Sequence, residues 1–395
     1  MSGVSRRNFL GAGWSAASAA RVFGANERIR LGVIGTGGRG RYLIERANDA
    51  GGIEWVALCD VYDVRRDKAE ALIGKKLDKY ADYRYVVDRP DIDAVIVATW
   101  DHVHAKITVD CCRAGKDVFV EKPMTLHPME GHEIVRAARE HSRIIQVGTQ
   151  QRSMPHFEEA RERFFASGRI GRVTMVRTIW NGNRAYRNQA PPPGMEVKPA
   201  GLDWELCQGD LPKLPWNPKR YFNHYVYWDY STNAQVGGLF VHHVDVVHWY
   251  LNLHAPLACV AIGGIYLEPE DRDTADNFNA ILEYPGKINV TFEANVTDMI
   301  QKESADIIFM GEGGRLRIFR YGYEFLPAGH DKTGEAIRSG PSPDLHVARW
   351  LECVRTRKKA NCDEIEGHYS AMACHIANIA YKENRRVTWQ EEWDV

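Results

Sequence analysis

From Ile29 onward the chain repeats one pattern: a short apolar run, a turn, then a stretch with apolar residues at helical spacing. The apolar runs predict strands at 29–34, 54–59, 93–98, 117–120 and 144–147, and the periodic stretches predict helices at 39–50, 64–77, 103–114 and 128–141. A weaker strand is expected near Arg84–Val87. Near-continuous apolar strands alternating with amphipathic helices imply a parallel sheet covered on both faces, an α/β domain. Beyond residue 151 the pattern changes. Strand-like runs at 173–180, 258–266, 277–284, 288–294, 304–310 and 315–319 follow one another through short turns such as Tyr284-Pro285-Gly286. This predicts an open, mostly antiparallel sheet. Helical stretches at 343–357 and 367–385 would complete an α+β domain, with Asp363, Glu364 and Glu366 on a solvated connection between them. The sheet has few helices to cover it, so a homo-oligomer, dimer or tetramer, is expected to bury its open face.

The chain therefore divides into residues 1–26, a first domain over 27–150 and a second over 151–395. The first segment reads Ser5-Arg6-Arg7-Asn8-Phe9-Leu10, then small and weakly apolar residues to Ala20. It resembles a twin-arginine export signal, which implies a periplasmic or otherwise exported protein. No later run reaches the roughly 18 apolar residues of a membrane span.

Composition removes other classes. With 51 basic and 52 acidic residues the formal net charge is −1, so no strong field exists to hold nucleic acid. The eight cysteines form no C-x-x-C pair and are too sparse for a disulfide scaffold.

The turn after the first strand reads Gly35-Thr36-Gly37-Gly38-Arg39-Gly40, a G-x-G-x-x-G between strand and helix. In such a turn the glycines permit a tight bend, close approach of a pyrophosphate to the backbone, and close packing of helix on strand. Asp60 ends the second strand 20 residues beyond Gly40, where a carboxylate binds the adenosine ribose. The two together predict a dinucleotide-binding Rossmann domain. Asp60 favours NAD, since a carboxylate repels a 2′-phosphate; Arg65 and Arg66 leave NADP open. Arg39 is placed to reach the pyrophosphate.

After the fifth strand comes Glu121-Lys122-Pro123. With the glycine turn, this resembles the glucose-fructose oxidoreductase, inositol dehydrogenase and rhizopine-catabolism (Gfo/Idh/MocA) family over essentially the whole of the chain after its first segment. The resemblance implies that Lys122, with Glu121 beside it, lies by the nicotinamide and a substrate hydroxyl. Physically, a lysine at the C-terminal end of a parallel strand can hydrogen-bond a hydroxyl and stabilise a developing alkoxide. The string Ala98-Thr99-Trp100-Asp101-His102-Val103-His104 is similar to the family's loop beneath the cofactor, although the family often has proline where Trp100 stands. This makes Thr99 and His104 cofactor-site candidates. Gln150-Gln151-Arg152 resembles the crossing to the second domain, with Arg152 a candidate substrate contact.

The second domain carries Trp204, Trp216, Tyr221, Phe222, Tyr225, Tyr227, Trp228 and Tyr230 in loop-like sequence. Such aromatics can stack on sugar rings, but most are expected to form a satellite core beneath a long loop. The apolar-periodic helix from Gly237 to Trp249 places Gly238, His242, Asp245 and Trp249 on one face. The family commonly has an Asp one turn before its catalytic His. His242 matches the His, and Gly238 stands where the Asp is expected, so Asp245 becomes the candidate to orient His242. A metal site is not expected, because only His242 and Asp245 among the nearby ligand types face the same way.

The resemblance thus implies hydride transfer between NAD(P) and a sugar, polyol or glycoside carbinol, with Lys122 and His242 catalytic and Arg152, Asp245 and His242 at the substrate. An exported enzyme would hold its cofactor tightly. A redox-neutral glycosidase or lyase using transient oxidation is the second enzyme reading, and a non-catalytic dinucleotide or sugar sensor is a third.

Overall fold

A computed structural model describes residues 28–182, 189–267, 271–296, 305–329, 333–338 and 344–395. The arginine-pair segment lies outside the described residues.

Six parallel strands form the first sheet in the order β3-β2-β1-β4-β5-β6: β1 Ile29–Ile34, β2 Ile53–Cys59, β3 Asp78–Tyr80, β4 Ala94–Val97, β5 Asp117–Val120 and β6 Ile145–Val147. Strand order reverses between β1 and β4, which opens a crevice at their C-terminal ends. The run Arg84–Val87, expected as a strand, is instead a helical turn whose Val86 and Val87 are buried against the sheet. The edge place is taken by Asp78–Tyr80, too polar to stand out as a strand.

The second sheet has nine strands in the order β14-β13-β12-β11-β7-β10-β9-β8-β15, with β7 Val173–Asn181, β8 Ala258–Gly264, β9 Asn277–Tyr284, β10 Ile288–Asn295, β11 Asp306–Gly311, β12 Gly314–Phe319, β13 Gly322–Pro327, β14 Glu335–Arg338 and β15 Val387–Thr388. All its pairings are antiparallel except β7 with β10. Alternation along each strand separates two faces. One cross-strand row, Cys259, Leu282, Val290, Val176, Phe309, Leu316 and Phe325, is wholly buried. It packs in one core with Val244 and Val247 of the helix Val241–Leu251 and Ala373 and Ala377 of the helix Glu364–Glu383. The adjacent row on the other face reads Val260, Ile281, Thr291, Arg177, Ile308, Arg317 and Glu324, and no residue of it is buried.

Asp363 is not on a solvated connection. It is buried and caps the helix Glu364–Glu383 by accepting the amide hydrogens of Ile365 and Glu366 at 3.2 and 3.1 Å. Among the described residues no helix is long and apolar enough to cross a membrane, and no group of three or more His, Cys, Asp or Glu stands close enough to hold a metal.

Candidate active site

At the crevice, the backbone of Gly35 sits against β4: a Cβ there would lie 2.4 Å from the Ala98 carbonyl oxygen, at a φ of +89°. A Cβ on Gly40 would lie 1.9 Å from the Gly35 carbonyl, so helix and turn meet only because both residues are glycine. Gly37 and Gly38 differ. A Cβ at Gly37 would find only Arg65 Nη1, at 3.9 Å, and one at Gly38 would find nothing within 4 Å. The helix Gly38–Ala50 has no side-chain cap and no acidic residue in its first turn. Its free amide hydrogens and positive dipole end therefore face open space, the environment a pyrophosphate needs.

That space is a cavity of about 620 Å³ lined by Gly35, Gly37, Gly38, Arg39, Asp60, Arg65, Thr99 and Trp100 among others. The Asp60 carboxylate is braced by the amide hydrogens of Thr36 (2.8 Å) and Tyr62 (3.0 Å), and both its oxygens keep acceptor capacity for a ribose hydroxyl. The residues at this end fit a nicotinamide dinucleotide: donors without partners for the phosphates, a carboxylate for the ribose, and room between them.

One wall comes from the second domain. The segment 201–213 lies across the end of β2: the Asp63 amide donates to Gly201 O (3.1 Å), the Asp203 amide donates to Val61 O (2.9 Å), and Tyr62 bridges Leu202. His102 Nε2 meets the Cys207 carbonyl at 3.2 Å, and Asp203, Glu205, Leu206, Cys207, Gly209, Asp210 and Lys213 all line the cavity. Behind this strap lies a cluster in which Trp100 stacks on His224, with centroids 4.4 Å apart, and Trp204, Tyr221, Tyr227 and Tyr230 are buried. Most of the loop aromatics thus form a satellite core. Trp228 stands apart from it, beneath the Lys382 ammonium.

The catalytic candidates lie beside the cavity and are joined to it by Arg39, whose Nε donates to Glu121 Oε1 (2.6 Å). Lys122 Nζ donates to the carbonyl of Gly238 across the domain boundary (2.9 Å). His104 ring nitrogens lie 2.8 Å from Pro123 O and 3.2 Å from Thr99 O, so this side chain ties the ends of β4 and β5 together. His242 is buried near the Trp180 ring. Burial, then the nearby Lys122 and Arg39 cations, hold its pKa well below the usual imidazole value, which leaves the ring neutral and a weaker base than a free imidazole.

Two expectations are corrected. Arg152 is not a substrate contact: it is buried, with Nε bonded to Asp245 Oδ2 (2.7 Å), Nη2 to Glu366 Oε2 (2.8 Å) and Nη1 to the Asn361 carbonyl (3.2 Å). Nor does Asp245 orient His242 or meet a substrate. Its carboxylate is fully buried and spent on Arg152, on the Ser370 hydroxyl (3.0 Å) and on Cys362, while His242 Nδ1 has no partner. Residues Asn233–Phe240 form a π-helix and regular α-helix begins only at Val241, so the 100° step does not carry from Gly238 to His242; His242 and Asp245 both lie in the regular helix, where the Asp245 carboxylate is claimed by Arg152. Sequence reasoning also missed Asp101, which accepts from the amide (3.2 Å) and hydroxyl (3.4 Å) of Thr232. Its only signal was a carboxylate among the residues that close β4.

Two family models cover most of the chain: one described as an oxidoreductase family, NAD-binding Rossmann fold, over residues 29–149, and one as an oxidoreductase family, C-terminal alpha/beta domain, over residues 175–394. The chain belongs to the Gfo/Idh/MocA oxidoreductase family. An inositol 2-dehydrogenase of Klebsiella pneumoniae (strain 342) is 28% identical over 230 residues, 57% of this chain and 55% of that protein. Another, from Agrobacterium fabrum, is 31% identical over 166 residues, 42% of this chain and 47% of that one. The chain thus spans about half the length of the curated relatives it matches. Among solved structures, a levoglucosan dehydrogenase in complex with NADH aligns with TM-score 0.73 at 15% identity, covering 92% of this chain and 99% of that one. The myo-inositol 2-dehydrogenase of Lactobacillus plantarum aligns with TM-score 0.69 at 18% identity, covering 92% and 100%. At these identities the structural likeness establishes the shared fold.

Proposed function

We propose that this protein is an NAD-dependent oxidoreductase acting on a secondary hydroxyl of a sugar, cyclic polyol or glycoside. The observation that carries the reading is the meeting of Lys122, from the end of β5, with the second-domain turn that leads into His242, beside an open glycine cradle and Asp60. A bound nicotinamide dinucleotide supplies the hydride acceptor. The Lys122 ammonium donates a hydrogen bond to the substrate oxygen and stabilises it as the O–H proton leaves; neutral His242 takes that proton on an imidazole nitrogen. The relatives named for inositol and levoglucosan suggest the substrate class. Asp60 favours NAD, and Arg65 at the cavity wall keeps NADP as the second choice.

The strap across the adenosine end favours a cofactor that stays bound and is restored in place. Two cycles meet that condition: alternate oxidation and reduction of two substrates, or transient oxidation that eases an elimination or hydrolysis before re-reduction. Export through the twin-arginine route, proposed from Arg6 and Arg7, fits the same economy, because an exported enzyme has no cytoplasmic dinucleotide pool to draw on.

Denaturing protein purified without added cofactor should release about one NAD(H) per chain, by analogy with one dinucleotide site per Rossmann domain. The protein should turn over at least one member of a panel of myo-inositol, levoglucosan and simple glycosides. Lys122→Met should cut that turnover by ~10² or more while dinucleotide content stays near wild type. Binding without turnover of any panel member would replace the enzyme reading with that of a sensor, and full activity in the Lys122→Met variant would remove Lys122 from the catalytic step.

A further inference from the structure

Position 238 carries no side chain, so the Lys122 ammonium is met there by a backbone carbonyl alone. The direction of that carbonyl is set by the turn that contains it. Residues Asn233–Phe240 are π-helical, and the turn opens at Thr232, whose carbonyl accepts from the Gly237 amide (3.3 Å) and from Asn378 Nδ2 (2.8 Å). The Thr232 side chain lies on Gly237 so closely that a Cβ there would be 1.5 Å from Thr232 Oγ1, and 3.2 Å from Cγ of Pro123, the residue after Lys122. Thr232 is itself held from the other domain. Asp101, in the short turn Asp101–Val103 after β4, accepts from both its amide and its hydroxyl. Burial pushes the Asp101 carboxyl above its usual range, and the neighbouring His104 and Lys122 pull it back down, so the carboxylate lies within electrostatic reach of the lysine as well.

We infer that Asp101 is a positioning residue for Lys122: by clamping Thr232 it fixes the π-helical turn that presents the Gly238 carbonyl to the Lys122 ammonium. The chain of contacts runs Asp101, Thr232, Gly237, Gly238, Lys122, and it starts and ends in the Rossmann domain while passing through the second. It therefore also registers one domain against the other at the place where the substrate hydroxyl would sit. A charged acceptor is not required for this task. An amide oxygen at position 101 can accept the Thr232 amide hydrogen equally well, whereas a methyl group cannot.

This inference rests on the reading that Lys122 meets the substrate only for its catalytic consequence, and its test separates the two. In the full-length protein, the rate at which a water-soluble acetylating ester modifies Lys122 at fixed pH is followed by peptide mass spectrometry, a readout that needs no turnover. Asp101→Ala should raise that rate about fivefold by releasing the ammonium from its carbonyl. Asp101→Asn should stay within about twofold of wild type. On any substrate the wild type oxidises, Asp101→Ala should lower kcat tenfold or more with KM changed less than threefold, and Asp101→Asn should restore most of it. Should Asp101→Ala not fold, Thr232→Ala provides the same test, with an expected two- to threefold rise in labelling. Wild-type labelling of Lys122 in a folded Asp101→Ala or Thr232→Ala protein overturns the inference whether or not the protein proves to be an oxidoreductase. Faster labelling with unchanged kcat upholds the clamp and removes Lys122 from catalysis.

Discussion

Arg152 and Asp245 show how a functional residue type can be committed to structure. A guanidinium at the domain crossing suits a sugar hydroxyl, and an Asp one turn beyond a catalytic His suits an orienting role. Here each satisfies the other at 2.7 Å with almost no exposure, and Glu366 and Ser370 complete the network. Two charges removed from water together lose little net free energy, but removing one strands the other. Arg152→Met should therefore destabilise the fold by about 3–5 kcal/mol, the cost of an uncompensated buried carboxylate. Equilibrium denaturation measures it. A variant of wild-type stability but with a raised KM would return Arg152 to the substrate site. His242 carries the complementary lesson: with no carboxylate on Nδ1 and two cations nearby, its ring is held neutral and is a weaker base than a free imidazole.

The Rossmann strands and helices were legible because each repeats a covered-face period, and their observed limits fall within a few residues of those the pattern predicts. What escaped had no period to read. The polar edge strand Asp78–Tyr80 is defined by its pairing with β2, and the apolar turn Arg84–Val87 mimics a strand because three of its four residues are apolar or aromatic. In the Gly237–Trp249 stretch the hydrophobic pattern was real, but the 100° step was wrong for the π-helical start that holds Gly238, and in the regular helix beyond it spacing alone could not show that Asp245 is bonded to Arg152 from another segment. The strap 201–213 is invisible for a further reason: the backbone bonds that hold it in place, at Gly201 and Asp203, go to Asp63 and Val61, more than a hundred positions away. Gly201 is the weak point of that joint, since a Cβ there would fall 1.9 Å from an Asp63 carboxylate oxygen. Gly201→Val should part the strap from β2 and speed NADH release about tenfold, an estimate of ~1.4 kcal/mol for one or two lost backbone bonds. Decay of bound-NADH fluorescence after dilution into excess NAD measures the rate. An unchanged rate would mean that the strap borders the cofactor without retaining it.

At the scale of the molecule, the two faces of the nine-stranded sheet pose different problems. The inner face is closed by the helices Val241–Leu251 and Glu364–Glu383, and its residues are dry. On the outer face Val260 and Ile281 are cross-strand partners exposed at 40% and 48%, Ile262 is exposed at 70%, and Met175 pairs laterally with Met310. Further along, the same face becomes charged, with Arg177 paired to Glu293 and Arg317 to Asp306 and Glu324. An apolar region rimmed by fixed ion pairs is the composition of an association surface, and a sheet face offers the same patch to a two-fold partner. The expected species is therefore a dimer or tetramer of this chain with β8 and β9 at the contact. Sedimentation at micromolar concentration should show it for the wild type. Ile262→Lys with Ile281→Lys should shift it to monomer, because four like charges would be brought together across a two-fold contact and stripped of water. Both side chains point away from the core, so far-UV circular dichroism and the inner packing should be preserved. A wild-type protein that sediments as a monomer at those concentrations would show that this face meets solvent, and a double variant that stays oligomeric would place the contact elsewhere.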